Sequence, residues 1–225
     1  MAESPAKEVR KYIFDYFLSN SRAPVLEEIM DRFGLTRKEA AKVLEELELA
    51  HHVIRVPGTN RILMANPFSA LDTPFRVEVG AKEYFAACAW DAVAYHVMLS
   101  RDTQVRSFCH HCAEPIKIKF SEGRPVSSKP LLPIVYLALP AVKWWENIVI
   151  TCANNMVFFS SRRHLDDWTE SNPGFSGEAL TLNQTLKISV PIYKNKMKLD
   201  YTRPTKDELM LYWDSMGLRG DFWKL

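Results

Sequence analysis

Two cysteines and an aspartate are the residues of this chain best suited to chemistry. Cys88 and Asp91 stand three positions apart in an apolar, alanine-rich segment, and Cys152 lies far along the chain in a similar setting. Residues at i and i+3 share a helix face, so the thiol and the carboxylate can exchange a proton. A second thiol would complete a chelate for a soft, thiophilic metal. The combination indicates chemistry on a metal–carbon or metal–sulfur bond.

The same residues also have simpler interpretations. A buried cysteine often acts only as a small apolar side chain. An aspartate is costly to bury without a partner, and a salt bridge from Asp91 to Arg101 or Arg106 would supply one. The sequence keeps these alternatives open, because it does not show whether Cys88 and Cys152 meet in space.

A second cysteine motif, the CHHC segment at residues 109–112, has the spacing of half a zinc site. The other cysteines form no second Cys-x-x-Cys pair, so histidines would have to complete the ligand set with Cys109 and Cys112. Three histidines are available for this: His110, His111 and His164. Single knuckles usually do not bind zinc, and the interpretation without a metal therefore also stays open.

Composition narrows the class of protein. The chain has 225 residues, 29 basic and 27 acidic side chains and a formal net charge of +2, which gives no general argument for nucleic acid or a membrane surface as partner. It shows no charged-then-apolar leader and no long apolar run, so we expect a soluble, non-exported protein. Four cysteines without a leader are more typical of thiols in a reducing cytoplasm than of disulfides.

Residues 1–66 are expected to form a winged-helix-like unit. Apolar periodicity predicts three helices, at residues 6–19, 25–33 and 37–49, followed by a hairpin around a Pro-Gly turn. Thr36 and Glu39 have the spacing of a capping box for the third helix. That helix carries more acidic than basic residues, and residues 1–70 hold ten of each, so we do not expect nucleic acid as a partner.

The remaining chain is predicted to be a linker at residues 67–74, an α+β catalytic domain at residues 75–190 and a C-terminal extension at residues 191–225. Within the domain, a helix over residues 86–98 is expected to carry Cys88 and Asp91, and a strand over residues 147–151 is expected to lead into Cys152. The aromatic extension would either cover the active site or form a partner surface.

With these motifs in order, the chain resembles the alkylmercury lyase (organomercurial lyase) family. The FAACAWD segment at residues 85–91 follows a strand pair and matches the family's Tyr/Phe-x-x-Cys-Ala-x-Asp signature. Cys109 lies on a Ser-x-Cys segment six residues before Pro115, and Cys152 lies six residues before Phe158, as in the family. The similarity runs from about residue 6 to residue 185 and predicts a winged-helix-like unit followed by an α+β catalytic unit.

The resemblance implies a reaction and its residues. Cys88 and Cys152 would capture the mercury of an organomercurial substrate, and Asp91 would deliver the proton that releases a hydrocarbon and Hg(II). It implies no cofactor, with external thiols for product release, and it allows hand-off of Hg(II) to a mercuric reductase. Cys109 would be structural, and we expect the same of Cys112, although Cys112 departs from the family pattern. The alternative function is a thiol-based metal sensor or carrier with a winged-helix module.

Overall fold

The computed structural model describes residues 4–225 as a mixed α+β protein. The helices are α1 Ala6–Asn20, α2 Leu26–Phe33, α3 Arg37–Leu49, α4 Ala89–Leu99, α5 Ile148–Asn155, α6 Arg162–Ser171, α7 Leu182–Tyr193 and α8 Lys206–Ser215. The strands are β1 Ile54–Arg55, β2 Ile62–Ala65, β3 Phe68–Ser69, β4 Arg76–Val79, β5 Lys82–Phe85, β6 Thr103–Phe108, β7 Pro115–Ser121, β8 Arg124–Lys129, β9 Ile134–Leu137, β10 Met156–Phe159 and β11 Glu178–Leu180. Among these described residues, none of the helices combines the length and hydropathy needed to span a bilayer.

The first three helices pack their apolar faces together and are followed by a small antiparallel sheet. Thr36 caps α3 as expected, since its hydroxyl accepts from Glu39 N while the Glu39 carboxylate accepts from Thr36 N. Strands β1 and β2 form the predicted hairpin, and β3 adds to it. Within the expected linker at residues 67–74, Phe68 of β3 is buried and pairs with β2.

A buried arginine joins the helical unit to the C-terminal part of the chain. Arg10 of α1 is 1% exposed, and its guanidinium donates to the backbone carbonyls of Lys196, at 2.7 Å, and Lys198. At a second contact, the ring of His51 stacks on Trp145 with 3.7 Å between centroids. The N-terminal helices thus hold in place the chain that follows α7.

Two antiparallel sheets form the rest of the molecule. The larger has the strand order β5-β4-β6-β7-β8, and the smaller has the order β10-β9-β11. Strands β6 and β7 alternate buried and exposed residues, as a sheet with one face on the core requires. Helix α4 packs on α7, and Trp90 Nε1 donates to Ser189 Oγ across that interface at 2.8 Å.

Three features near the functional residues differ from the expectations. The expected strand at residues 147–151 is wrong: this segment belongs to α5, which begins after the N-cap Asn147, whose Oδ1 accepts from Ile150 N at 3.2 Å. Helix α4 begins at Ala89 and not at residue 86. Helix α7 continues to Tyr193 and so crosses the expected boundary at residue 190.

Candidate active site

Cys88 lies at the N-cap of α4, in extended backbone. Its sulfur accepts a hydrogen bond from Asp91 N at 3.2 Å, as an N-cap side chain does, and its thiol donates to Asp91 Oδ2 at 3.1 Å. The i,i+3 spacing therefore places thiol and carboxylate together in the first turn of a helix. The positive end of the helix dipole and the Asp91 N–H favour a thiolate there, but burial outweighs them and raises the pKa of the Cys88 thiol.

Asp91 is 1% exposed and is held by neutral donors. Tyr193 Oη donates to Oδ1 at 2.5 Å, and Asn66 Nδ2 donates to Oδ2 at 2.9 Å. The alternative salt bridge to Arg106 is not formed, because Arg106 pairs with Glu78 and Glu83. Asp91 is thus aimed at the thiol rather than neutralised by a surface cation.

Cys152 is brought from α5 to the same point. The Cys88 and Cys152 sulfurs and a carboxylate oxygen of Asp91 all lie within 4.8 Å of one another, and all three residues are buried. Asn66 Nδ2 lies 3.8 Å from the Cys152 sulfur, so a single amide contacts both Asp91 and Cys152. The Met156 thioether, 3.8 Å from the Cys88 sulfur, adds another soft atom. Two thiols and one carboxylate, distant in sequence, therefore converge on one centre.

Burial favours the protonated forms of Cys88 and Asp91. Burial raises the pKa of the Cys88 thiol well above its ordinary value, and the neighbouring Cys152 and the Asp91 charge raise it further. Burial also raises the pKa of Asp91, although its hydrogen bonds with Tyr193 and Cys88 oppose this. A thiol with a raised pKa keeps its proton until a cation displaces it, so a proton is available where a soft metal would bind.

The centre opens on a largely apolar cavity of about 50 Å³, which is room for a few water-sized groups. Its walls include Trp90, Trp144, Ile148 and, from the C-terminal extension, Leu209 and Trp213. Part of the extension therefore packs over the centre. Such a cavity suits a small organic group beside the two sulfurs.

Three residues of the centre carry no sequence motif that could have revealed them. Asn66 lies at the end of the expected winged-helix-like unit, and Tyr193 and Lys196 lie in the expected extension. Burial lowers the pKa of Lys196 to about 7, with further lowering by Arg203 and Arg10, while Asp91 opposes it. The Lys196 ammonium lies 4.7 Å from the centroid of the Tyr193 ring. Only their convergence in the fold identifies these residues.

The other cysteines form a separate cluster. Cys109 is buried and Cys112 is exposed, and both sulfurs approach His164 Nδ1. Neither cysteine lines the cavity beside Cys88. The structure thus divides the four cysteines into two pairs with different surroundings.

The fold and the site together define an α+β protein with a buried centre of two thiols and one carboxylate at an apolar cavity. Residues 68–194, more than half of the chain, match the family model described as alkylmercury lyase (MerB). The chain belongs to the alkylmercury lyase family, which confirms the resemblance drawn from its motifs. The matched stretch contains Cys88, Asp91 and Cys152.

Individual relatives agree with this assignment. An alkylmercury lyase of Bacillus cereus is 24% identical over 171 residues, which cover 76% of this chain and 74% of the relative. An alkylmercury lyase of Staphylococcus epidermidis is 25% identical over 148 residues, covering 66% and 65%. A crystal structure of the mercury-bound form of MerB2 shares the fold with a TM-score of 0.69 and 22% identity, covering 87% of this chain and 91% of that one.

Proposed function

We propose that this protein is an organomercurial lyase that cleaves carbon–mercury bonds by protonolysis with Cys88, Asp91 and Cys152. The observation that carries the proposal is the convergence of two buried sulfurs and one buried carboxylate within 4.8 Å. Thiolates are the preferred ligands of soft cations, and a carboxylate beside a thiol can relay its proton. The apolar cavity is suited to the organic group of such a substrate.

The reaction balances with the groups present. The mercury of R–Hg⁺ binds one cysteine sulfur, and that thiol gives up its proton. The second sulfur then binds mercury, and one proton passes through Asp91 to the carbon as the Hg–C bond breaks. The products are R–H, Hg(II) held by the two thiolates, and one proton released to solvent. Each thiol thus supplies one proton and one bond to mercury.

The raised pKa values of Cys88 and Asp91 suit this order of events. A carbon leaving group is a poor proton acceptor until mercury is well coordinated, so a proton must wait in the site. The raised pKa of the Cys88 thiol keeps that proton bound, and binding of a soft cation displaces it. Asn66 and Tyr193 orient the carboxylate that carries the proton to carbon.

The remaining expectations belong to the same proposal. The reaction needs no dedicated cofactor, and external thiols remove Hg(II) from the two cysteines by ligand exchange. A mercuric reductase is a suitable acceptor for that Hg(II), and a reducing cytoplasm is the compartment in which the cysteines stay active.

The N-terminal three-helix unit with its small sheet is winged-helix-like in this proposal and acts as a scaffold. Helix α3 is acidic over residues 45–48, which disfavours contact with phosphates. Arg10 of the same unit is buried, and its guanidinium donates hydrogen bonds to backbone carbonyls near the cavity. These features support an internal structural role rather than nucleic-acid binding.

The direct test is release of benzene from phenylmercury, measured in the headspace by gas chromatography with excess external thiol. The Cys88→Ser, Cys152→Ala and Asp91→Asn variants should fall to the background rate of the thiol alone. Asp72→Asn, which changes an exposed aspartate, is the matched control and should keep the wild-type rate. Full activity of Cys152→Ala would overturn the assignment.

A further inference from the structure

A second set of ligating atoms lies outside the catalytic centre, where the β6–β7 turn meets α6. His164 Nδ1 is 3.6 Å from the Cys109 sulfur and 3.4 Å from the Cys112 sulfur, and all three atoms lie within 4.8 Å of one another. We propose that Cys109, Cys112 and His164 bind a zinc ion.

The separations between these atoms are those of ligands that share one tetrahedral ion. Zinc lies about 2.3 Å from thiolate sulfur and about 2.0 Å from imidazole nitrogen, which places sulfur and nitrogen ligands roughly 3.5 Å apart. The two observed sulfur–nitrogen distances bracket that value. Two thiolates and one imidazole are also the donor types that zinc prefers, whereas magnesium and calcium prefer oxygen.

The backbone of the β6–β7 turn brings the two sulfurs to the same side. Cys109 N donates to Glu114 O at 2.8 Å, and Ala113 N donates to Cys109 O at 2.9 Å, so two backbone hydrogen bonds close the turn. Ala113 adopts a left-handed conformation with φ 60°, which non-glycine residues seldom do. This tight turn is a separate observation from the sulfur positions, and it presents Cys109 and Cys112 as a chelating pair.

The first turn of α6 positions the third ligand, His164. His164 lies in the first turn of α6, where its N–H donates to the N-cap hydroxyl of Ser161 at 3.2 Å. Ser160, 3% exposed, places its Oγ 2.5 Å from His164 Nδ1. Ser160 and the backbone N–H groups of His111 and Cys112 also lie near the Cys109 sulfur. Nδ1 has one lone pair, so binding of the ion would release the Ser160 hydroxyl from Nδ1 and leave it free to contact the Cys109 sulfur.

The ion would add a link between two parts of the fold that already meet through His110. Cys109 and Cys112 flank a turn of the five-stranded sheet, whereas His164 follows β10 of the smaller sheet. One backbone bond, from His110 N to Phe158 O at 2.8 Å, already joins the two sheets there. Cys112 is exposed, so water can fill the fourth position. None of the three ligands lines the catalytic cavity, and the proposal does not depend on the lyase reaction.

The test is the metal content of the untagged full-length protein, produced with zinc in the medium and measured by inductively coupled plasma mass spectrometry. We expect one zinc per chain in the wild type and in the Cys88→Ser/Cys152→Ser double variant. We expect at least a tenfold loss in Cys112→Ser and in His164→Ala. Because Cys112 is exposed, Cys112→Ser should keep the wild-type circular dichroism spectrum, which separates lost binding from lost folding.

The absorption spectrum of bound Co(II) is a second measurement, which identifies the type of ligand. Co(II) added to the zinc-depleted wild type should produce the intense visible bands of tetrahedral coordination and a thiolate charge-transfer band, and Cys112→Ser should show neither. A wild type that takes up neither zinc nor cobalt overturns the proposal. So does zinc that survives Cys112→Ser and disappears from the Cys88→Ser/Cys152→Ser variant.

Discussion

Tyr193 offers a sharp test of how Asp91 works, because its hydroxyl is a positioning group that need not touch mercury. Tyr193 Oη donates to Asp91 Oδ1 at 2.5 Å, and it makes the only hydrogen bond to Oδ1 within residues 4–225. Tyr193→Phe removes this donor and leaves the buried ring in place. The hydroxyl stabilises the charged form of Asp91 and lowers its pKa, so its loss should raise the Asp91 pKa further.

The size of the effect follows from the hydrogen bond. A hydrogen bond to a charged group contributes about 1.5–3 kcal/mol. If this stabilisation is lost from the transition state and not from the free enzyme, kcat/KM should fall roughly 10- to 150-fold, since each 1.36 kcal/mol corresponds to about a factor of ten. The acid limb of the pH–rate profile should also move to higher pH, because deprotonated Asp91 must accept the thiol proton.

The assay is kcat/KM for benzene release from phenylmercury across a pH series, with circular dichroism to confirm folding. Tyr212→Phe is the matched control, because Tyr212 donates only to the Lys187 carbonyl at the surface, at 3.2 Å. A Tyr193→Phe variant with the wild-type rate and an unmoved acid limb would refute the role given to Asp91. A loss of rate with no change in the profile would refute the electrostatic part of the reasoning.

Two further variants probe the charges around the cavity. Lys196→Met should stabilise the fold by a few kcal/mol below pH about 7, because the native pKa of about 7 lies below the unfolded value of 10.5 and each pKa unit corresponds to about 1.4 kcal/mol. This gain should fade as the pH rises to 10.5, and urea unfolding across a pH series measures it. Lys194→Met, which changes an exposed lysine, is the control, and equal behaviour of the two variants would contradict the prediction. Arg10→Met should lower the free energy of unfolding in urea by about 3–5 kcal/mol, since it leaves buried carbonyls without a donor. Arg163→Met changes an exposed arginine and should leave that free energy almost unchanged. Equal losses for the two variants would contradict the prediction.

The parts of the fold that local signals specify were predictable from the sequence. The α3 helix follows from its apolar spacing and from the Thr36 capping box. Strands β6 and β7 follow from their alternation. Strand β8 gave no such signal, because it is a largely exposed edge strand containing Pro125 and charged residues, as edge strands often do.

The segment before Cys152 shows where local preference misleads. Its β-branched residues at positions 148–151 favour a strand, yet they form the first turns of α5 under the Asn147 cap. Cys88 and Asp91 could be predicted as a pair because they are neighbours in sequence. Asn66, Tyr193 and Lys196 could not, since each reaches the site only through long-range packing that no local spacing encodes.

The buried guanidinium of Arg10 has a consequence for how this protein can be rebuilt or can have evolved. Because α1 supplies the donor for the chain that carries Lys196, the first helix is not a portable module. A chimera that takes its opening helices from a distant relative would need a matching donor, or the backbone beside the cavity would lose its anchor. Because Arg10 of α1 donates to the carbonyls of Lys196 and Lys198, we expect the helical unit and the C-terminal part of the chain to be inherited together.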